Sequence, residues 1–273
     1  MPELPEVETT RLGIAPHLCG AVINSVIVRN RKLRWPIPEG FEQQITHQTV
    51  QHITRRGKYL CIHLNTIMIL IHLGMSGRLS LFTDSRVNER HDHVDIIFSN
   101  GQTLRYTDPR RFGCILLSQS NQHTLLDNLG IEPLSESFTA DYLLKQAQSR
   151  KMAIKPFLMN DKIVVGVGNI YATEALFLAK IHPAMPANTL TLTRAHLLVD
   201  IIKQVLTNAI AKGGTTLKDF LNSSGKPGYF AQQLKVYGRA NQPCVVCGVD
   251  LKSCVLGQRT TVFCPVCQDM NLS

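Results

Sequence analysis

The opening residues Met1-Pro2-Glu3-Leu4-Pro5-Glu6-Val7-Glu8 set a proline and a carboxylate side by side at a terminus. Pro2 is small enough for the initiator methionine to be trimmed, so the mature chain is expected to start with a free secondary amine. An α-amino group titrates near pH ~8, well below a lysine, so a useful fraction is unprotonated at neutral pH. Such an amine is a nucleophile able to attack a sugar aldehyde carbon and form an iminium. Glu3 stands beside it to give or accept a proton. The competing reading is a frayed terminus with scattered acids.

A second constellation lies near the other end. Cys244-Val245-Val246-Cys247 and Cys264-Pro265-Val266-Cys267 are two C-x-x-C pairs separated by sixteen residues. This spacing suits one structural zinc ion (Zn2+), each pair holding one side of it and the intervening segment folding as a hairpin. Two disulfides are the alternative, although no secretion signal precedes them. Cys19, Cys61 and Cys114 are isolated in apolar surroundings and are expected to be small core residues. Cys254, inside the hairpin, is an extra thiol.

These groups must be carried by a chain of 273 residues, long enough for two domains and a small appendage. A net charge of +9 points to a polyanionic partner, most simply nucleic acid. No apolar leader is present, and the longest apolar run, Ile67 to Leu73, is too short to span a bilayer. The expectation is a soluble, cytoplasmic protein with no membrane contact.

Strand signals run from Val22 to about Leu117. Val22 to Val28 is β-branched, Tyr59 to Leu64 and Thr66 to Leu73 are short apolar runs, and His93 to Phe98 enters an Asn100-Gly101 turn before Thr103 to Tyr106. The spacings predict an antiparallel sandwich or flattened barrel. Residues 119–137 read as a linker. Helices are predicted over Thr139–Ser149 and Asn169–Lys180, and a third is expected to start at Thr193 as N-cap and stop at Lys212-Gly213-Gly214. Asn222 to Gly228 reads as a flexible loop. The fold class is α+β multi-domain: an N-terminal β-sandwich over 1–118, the linker 119–137, a helical domain over 138–235 and a zinc hairpin over 236–273.

Several ordered motifs carry a resemblance over nearly the whole length: the opening octet, Arg56-Gly57-Lys58-Tyr59-Leu60, and His72-Leu73-Gly74-Met75-Ser76-Gly77-Arg78-Leu79. They continue with Asp108-Pro109-Arg110-Arg111-Phe112-Gly113, Val165-Gly166-Val167-Gly168-Asn169-Ile170-Tyr171-Ala172 and the cysteine pairs. In these the chain resembles the bacterial formamidopyrimidine-DNA glycosylases, enzymes that excise oxidised purines and cut the strand at the abasic site. The related endonuclease VIII branch usually opens Pro-Glu-Gly-Pro and lacks this Met and Arg-Arg-Phe pattern.

The resemblance implies a helix-two-turn-helix in the helical domain and a catalytic set of Pro2, Glu3, Lys58 and Arg259. It implies DNA contacts from His72, Met75, His93, Arg110, Phe112 and Asn169. Lys58, His72, Asn169 and Arg259 would grip phosphates, while Met75, Arg110 and Phe112 would fill the space left by a flipped nucleotide. Glu6 and Glu174 would shape the site, and a lid from about Gly213 to Tyr237 would close over the base. The implied partner is duplex DNA with an oxidised purine, 8-oxoguanine or a formamidopyrimidine, opposite cytosine, bound by a monomer in base excision repair. On residue type alone Met75 reads as core, Phe112 as strand, Lys58 and Arg259 as solvated charge, His72 as a buried hydrogen-bonded ring and Asn169 as a helix cap. The basic run Arg29 to Trp35 carries no assigned role. Two other functions stay open: an oxidised-pyrimidine glycosylase of the same superfamily, and a zinc-ribbon DNA-binding protein without catalysis.

Overall fold

A computed structural model of the chain describes residues 2–119, 123–215 and 233–270. They form two compact units. One contains Met1–Asp127 and, from Lys212, the described residues to Thr215; the other contains Asn128–Ala211 and residues 233–270.

In the first unit the chain opens with helix α1, Leu4–Leu18, then strand β1, Ile23–Val28, and the short helix α2, Phe41–Ile45. Seven strands follow: β2 His52–Arg56, β3 Tyr59–His63, β4 Met68–His72, β5 Arg78–Phe82, β6 Asp92–Phe98, β7 Thr103–Thr107 and β8 Cys114–Ser118. They build two four-stranded sheets, ordered β1-β6-β7-β5 and β2-β3-β4-β8. All ladders are antiparallel. The period-2 apolar positions of both sheets, such as Val94, Ile96 and Phe98 against Ile69, Ile71 and Leu60, meet in one buried cluster, so the sheets form a sandwich. Val7, Ile14 and Leu18 of α1 close that cluster. The register of β6 on β7 slips between Asp92 and Val94, leaving His93 bulged.

The 119–137 stretch contains a one-turn helix α3, Thr124–Asp127, and a parallel bridge from Ile131 to Val164. In the second unit α4, Ala140–Ala147, and α6, Asn169–Leu178, both pack on α7, Leu192–Ala211. Helix α5, Ile154–Leu158, packs on α6. Between α5 and α6 the chain makes two turns, one closed by the Ile163 N–H on the Asn160 carbonyl at 2.8 Å and one at Gly166 with φ +80°. This is the helix-two-turn-helix. Strands β9, Lys252–Leu256, and β10, Arg259–Phe263, pair as a hairpin, and the cysteine pairs that flank it in sequence come together.

Two local expectations change, and the terminus, for which no element is expected, is helical from Leu4. Helix α7 starts two residues before the expected point, because the Thr191 hydroxyl, not that of Thr193, accepts the Arg194 N–H at 3.4 Å. Cys19 is exposed at the end of α1, whereas Cys61 and Cys114 are buried as expected. The expected Asn222–Gly228 loop, and residues 216–232 of the expected lid, lie outside the described residues.

Candidate functional site

Helix α1 begins directly after Glu3 because Glu6 reaches back: its Oε2 accepts the Glu3 backbone N–H at 2.8 Å. That is the return half of a capping box, with Pro5 in the first turn. Pro2 is buried, and so are Glu3 and Glu6, at 1% and 0% exposure. A buried carboxylate must be hydrogen-bonded. The other oxygen of Glu6 meets this need by accepting the Thr215 N–H at 2.8 Å. Glu6 therefore holds the terminus that bears Pro2 to the first residue after Gly214, whose φ of +82° only a glycine adopts easily.

Lys58 sits in the tight turn from β2 to β3, half-buried, after Gly57 at φ +57°. Arg55 braces the turn, donating Nη1–H to the Gly57 carbonyl at 2.9 Å and Nε–H to Glu8 of α1 at 3.0 Å. Tyr59 pairs with His72 across β3 and β4, their rings 4.8 Å apart. His72 Nδ1 accepts the Gly74 N–H at 3.0 Å, which puts the proton of the neutral ring on Nε2 as a donor. Lys58 and His72 thus come to one end of the same sheet.

Met75 lies in the turn after β4, and Arg110 and Phe112 lie in the loop between β7 and β8. The buried Asp108 carboxylate joins the two. Its Oδ1 accepts from Ser76 at 2.7 Å, and its Oδ2 accepts from the Gly113 N–H at 2.9 Å and the Tyr106 hydroxyl at 3.2 Å. Ser76 Oγ in turn accepts the Arg110 N–H at 3.1 Å. Gly74 fits because a Cβ there would collide with the backbone of Phe112 and Gly113. Held this way, Arg110 lies 4.8 Å over the Phe112 ring, and that ring is 46% exposed. His93 does not share this surface. It is 2% exposed, and its Nε2 bonds the Asp108 carbonyl at 2.8 Å, a geometry that braces the loop from within.

In the second unit Asn169 is the first residue of α6. Its Oδ1 accepts from Lys155 Nζ at 2.6 Å and its Nδ2 donates to the Thr260 carbonyl at 3.3 Å. Lys155 also donates to Thr261 Oγ1 at 2.7 Å. These bonds dock the hairpin on α6 and bring Asn169 beside the exposed Arg259, which follows the Gly257-Gln258 tip where both φ values are positive. Lys155 is fully buried. Sequence reasoning missed it, although a lysine within Ala153-Ile154-Lys155-Pro156-Phe157-Leu158 was a signal, since lysine is almost never buried unpaired. Glu174 of α6 accepts three backbone N–H groups, from Lys235, Val236 and Tyr237, at 2.8, 3.0 and 2.8 Å.

The sulfurs of Cys244, Cys247, Cys264 and Cys267 lie within 4.8 Å of one another, with Cys244 to Cys267 at 3.9 Å and Cys247 to Cys264 at 3.4 Å. A tetrahedral zinc with Zn–S of ~2.3 Å sets its sulfurs ~3.8 Å apart, whereas a disulfide needs ~2.05 Å. The donor set fits one structural Zn2+ with four thiolates and no open position. Backbone N–H groups of Val246 and Cys267 point at Cys244 and Cys264 sulfurs at 3.4 and 3.3 Å. Cys244, Cys264, Val262 and Leu251 form a small core with Phe177 and Val236.

Comparison with known proteins covers the chain in three segments. Residues 1–115 match the formamidopyrimidine-DNA glycosylase N-terminal domain, 129–221 the H2TH domain of the same enzymes, and 241–269 a zinc finger found in FPG and IleRS. A formamidopyrimidine-DNA glycosylase of Photorhabdus laumondii is 55% identical over 269 residues, covering 98% of this chain and 100% of that protein. A Lactococcus lactis FPG mutant in complex with Fapy-dG-containing DNA superposes with TM-score 0.91 at 34% identity, over 98% of this chain and 100% of that one. The wild-type Lactococcus lactis FPG in complex with DNA containing an oxidised pyrimidine superposes with TM-score 0.90 at 35% identity and the same coverage.

Proposed function

Because the chain belongs to the formamidopyrimidine-DNA glycosylase family, we propose that it excises oxidised purines, 8-oxoguanine and formamidopyrimidines, from duplex DNA and then cleaves the abasic strand. The supporting observation is the buried head of α1, where Pro2 and Glu3 stand together and Glu6 fixes their backbone.

The Pro2 nitrogen, with Met1 removed, bonds to C1′ as the base departs, and Glu3 protonates the ring oxygen so that the sugar opens to an iminium. The iminium acidifies the C2′ proton. Its loss expels the 3′ phosphate, and a second elimination expels the 5′ phosphate. Lys58 and Arg259 steady the phosphates that leave, with His72 and Asn169 gripping their neighbours. Met75, Arg110 and Phe112 occupy the vacated stack, Arg110 facing the orphaned cytosine. His93 serves this surface through the Asp108 loop. Zinc takes no part in these steps: with four thiolates it leaves no coordination position, and it keeps the hairpin folded. The setting is base excision repair by a cytoplasmic monomer; no helix among the described residues is long and apolar enough to cross a membrane.

Borohydride trapping tests the proposal. Wild-type protein should give a covalent adduct with an 8-oxoguanine duplex, and Pro2→Gly or a chain retaining Met1 should not. Failure of the wild type to form an adduct would remove the lyase step. Faster cleavage of thymine glycol than of 8-oxoguanine would instead favour pyrimidine lesions, in keeping with the oxidised-pyrimidine DNA bound by the Lactococcus relative.

A further inference from the structure

The basic run Arg29-Asn30-Arg31-Lys32-Leu33-Arg34-Trp35 separates into two kinds of cation. Arg29 bonds Asp95 at 2.6 Å and Arg31 bonds Glu42 at 2.6 Å, so both charges are neutralised locally. Lys32 and Arg34 are exposed, and neither has an ion-pair partner among the described residues. The loop bearing them is held rigidly. Leu33 and Ile37 are buried in the sandwich core, and the Leu33 and Ile37 N–H groups both bond the Arg31 carbonyl at 3.0 Å. The Arg34 N–H donates to the Gly113 carbonyl at 3.1 Å, the residue directly after Phe112. Its guanidinium stacks 4.6 Å over Trp35. A stacked guanidinium keeps its N–H edge available for an anion with little rotamer entropy left to lose.

We propose that Arg34, with Lys32 beside it, grips a backbone phosphate of the duplex next to the loop that carries Arg110 and Phe112, while Arg29 and Arg31 serve only the fold. This rests on the reading of the chain as a DNA enzyme. It fits charge complementarity, and it continues the proposed DNA surface through a single hydrogen bond. A phosphate contact carries no base information, so it adds affinity without lesion preference.

The test uses the zinc-loaded full-length chain with lesion-bearing and undamaged duplexes. Arg34→Ala should reduce the slope of log affinity against log salt by about 0.9, the value of one phosphate contact, for both duplexes alike. The lesion-to-undamaged affinity ratio should stay that of the wild type. Arg31→Ala should leave the slope unchanged. Trp35 is the only tryptophan in the chain. Its emission should therefore change saturably as duplex is added to the wild type, with a smaller amplitude in Arg34→Ala. An unaltered slope in Arg34→Ala, or a Trp35 signal that duplex does not move, overturns the proposal. A wild-type chain that binds duplex with steep salt dependence but excises nothing sinks the assigned activity and leaves the Arg34 contact standing. One that binds no duplex sinks both.

Discussion

Asp108 is fully buried, and both of its carboxylate oxygens are engaged, by Ser76 on one side and by Gly113 and Tyr106 on the other. An asparagine there keeps one acceptor but turns an NH2 toward a backbone N–H and a hydroxyl, and a buried group left unsatisfied costs about 1–3 kcal/mol. Asp108→Asn should therefore loosen the Met75 turn from the Arg110–Phe112 loop. Discrimination between cytosine and adenine opposite the lesion should fall, while borohydride trapping on a preformed single-stranded abasic site persists. Equal loss of both would make Asp108 a general fold residue. Residue type and spacing were enough to find the four cysteines, and they marked Pro2 and Glu3 as a candidate pair beside the reading of a frayed terminus. They were not enough for Asp108, Lys155 or the inward turn of His93. Their partners are backbone carbonyls, amides and hydroxyls, from Tyr106 two residues before Asp108 to Thr261 far along the chain from Lys155, and such pairings leave no mark in a string of letters.

The strands of the sandwich were legible where β-branched alternation is strong, as in β1 and β6, but β2 and β5 carry arginines and β8 mixes polar ends. Helix α1 was missed for a different reason. Its opening is rich in proline and acid, which reads as a loop until Glu6 is seen to bond Glu3. Carboxylates also hold backbone amides elsewhere: Glu6 holds Thr215, and Glu174 holds Lys235, Val236 and Tyr237. A hydrogen bond to a charged acceptor is worth about 1.5–3 kcal/mol, or roughly 10- to 100-fold in a local opening equilibrium. Glu174→Gln should thus speed hydrogen exchange at the Lys235–Tyr237 amides by roughly that factor and lower lesion excision. Zinc content should be unchanged. Exchange at wild-type rates would show that the carboxylate does not anchor this segment.

Taken as a whole, the molecule has two separate sources of stability with different responses to acid. In the first unit Asp95 is held below the usual carboxylate range: burial works against its ionisation, and hydrogen bonds from Arg105 and Arg29 outweigh that. Glu8 is lowered in the same way, burial opposed by Arg11 and Arg55. A lowered folded pKa stabilises fully above the unfolded value of ~4 and is lost as pH falls through the folded one, so this unit should hold until below about pH 4. The zinc hairpin depends instead on four thiolates, and protons compete with the metal for each of them. On titration from neutral pH, zinc release followed with a chromogenic chelator should precede the Trp35 emission change that reports the sandwich. The same order predicts the effect of Cys244→Ser. With a ligand gone, the core of Cys264, Val262, Leu251, Phe177 and Val236 loses its metal tie, and duplex binding should disappear. Trp35 emission and its acid midpoint should match the wild type. A sandwich that unfolded together with zinc loss would mean that the two units share one cooperative transition, and the separation of their stabilities would be wrong.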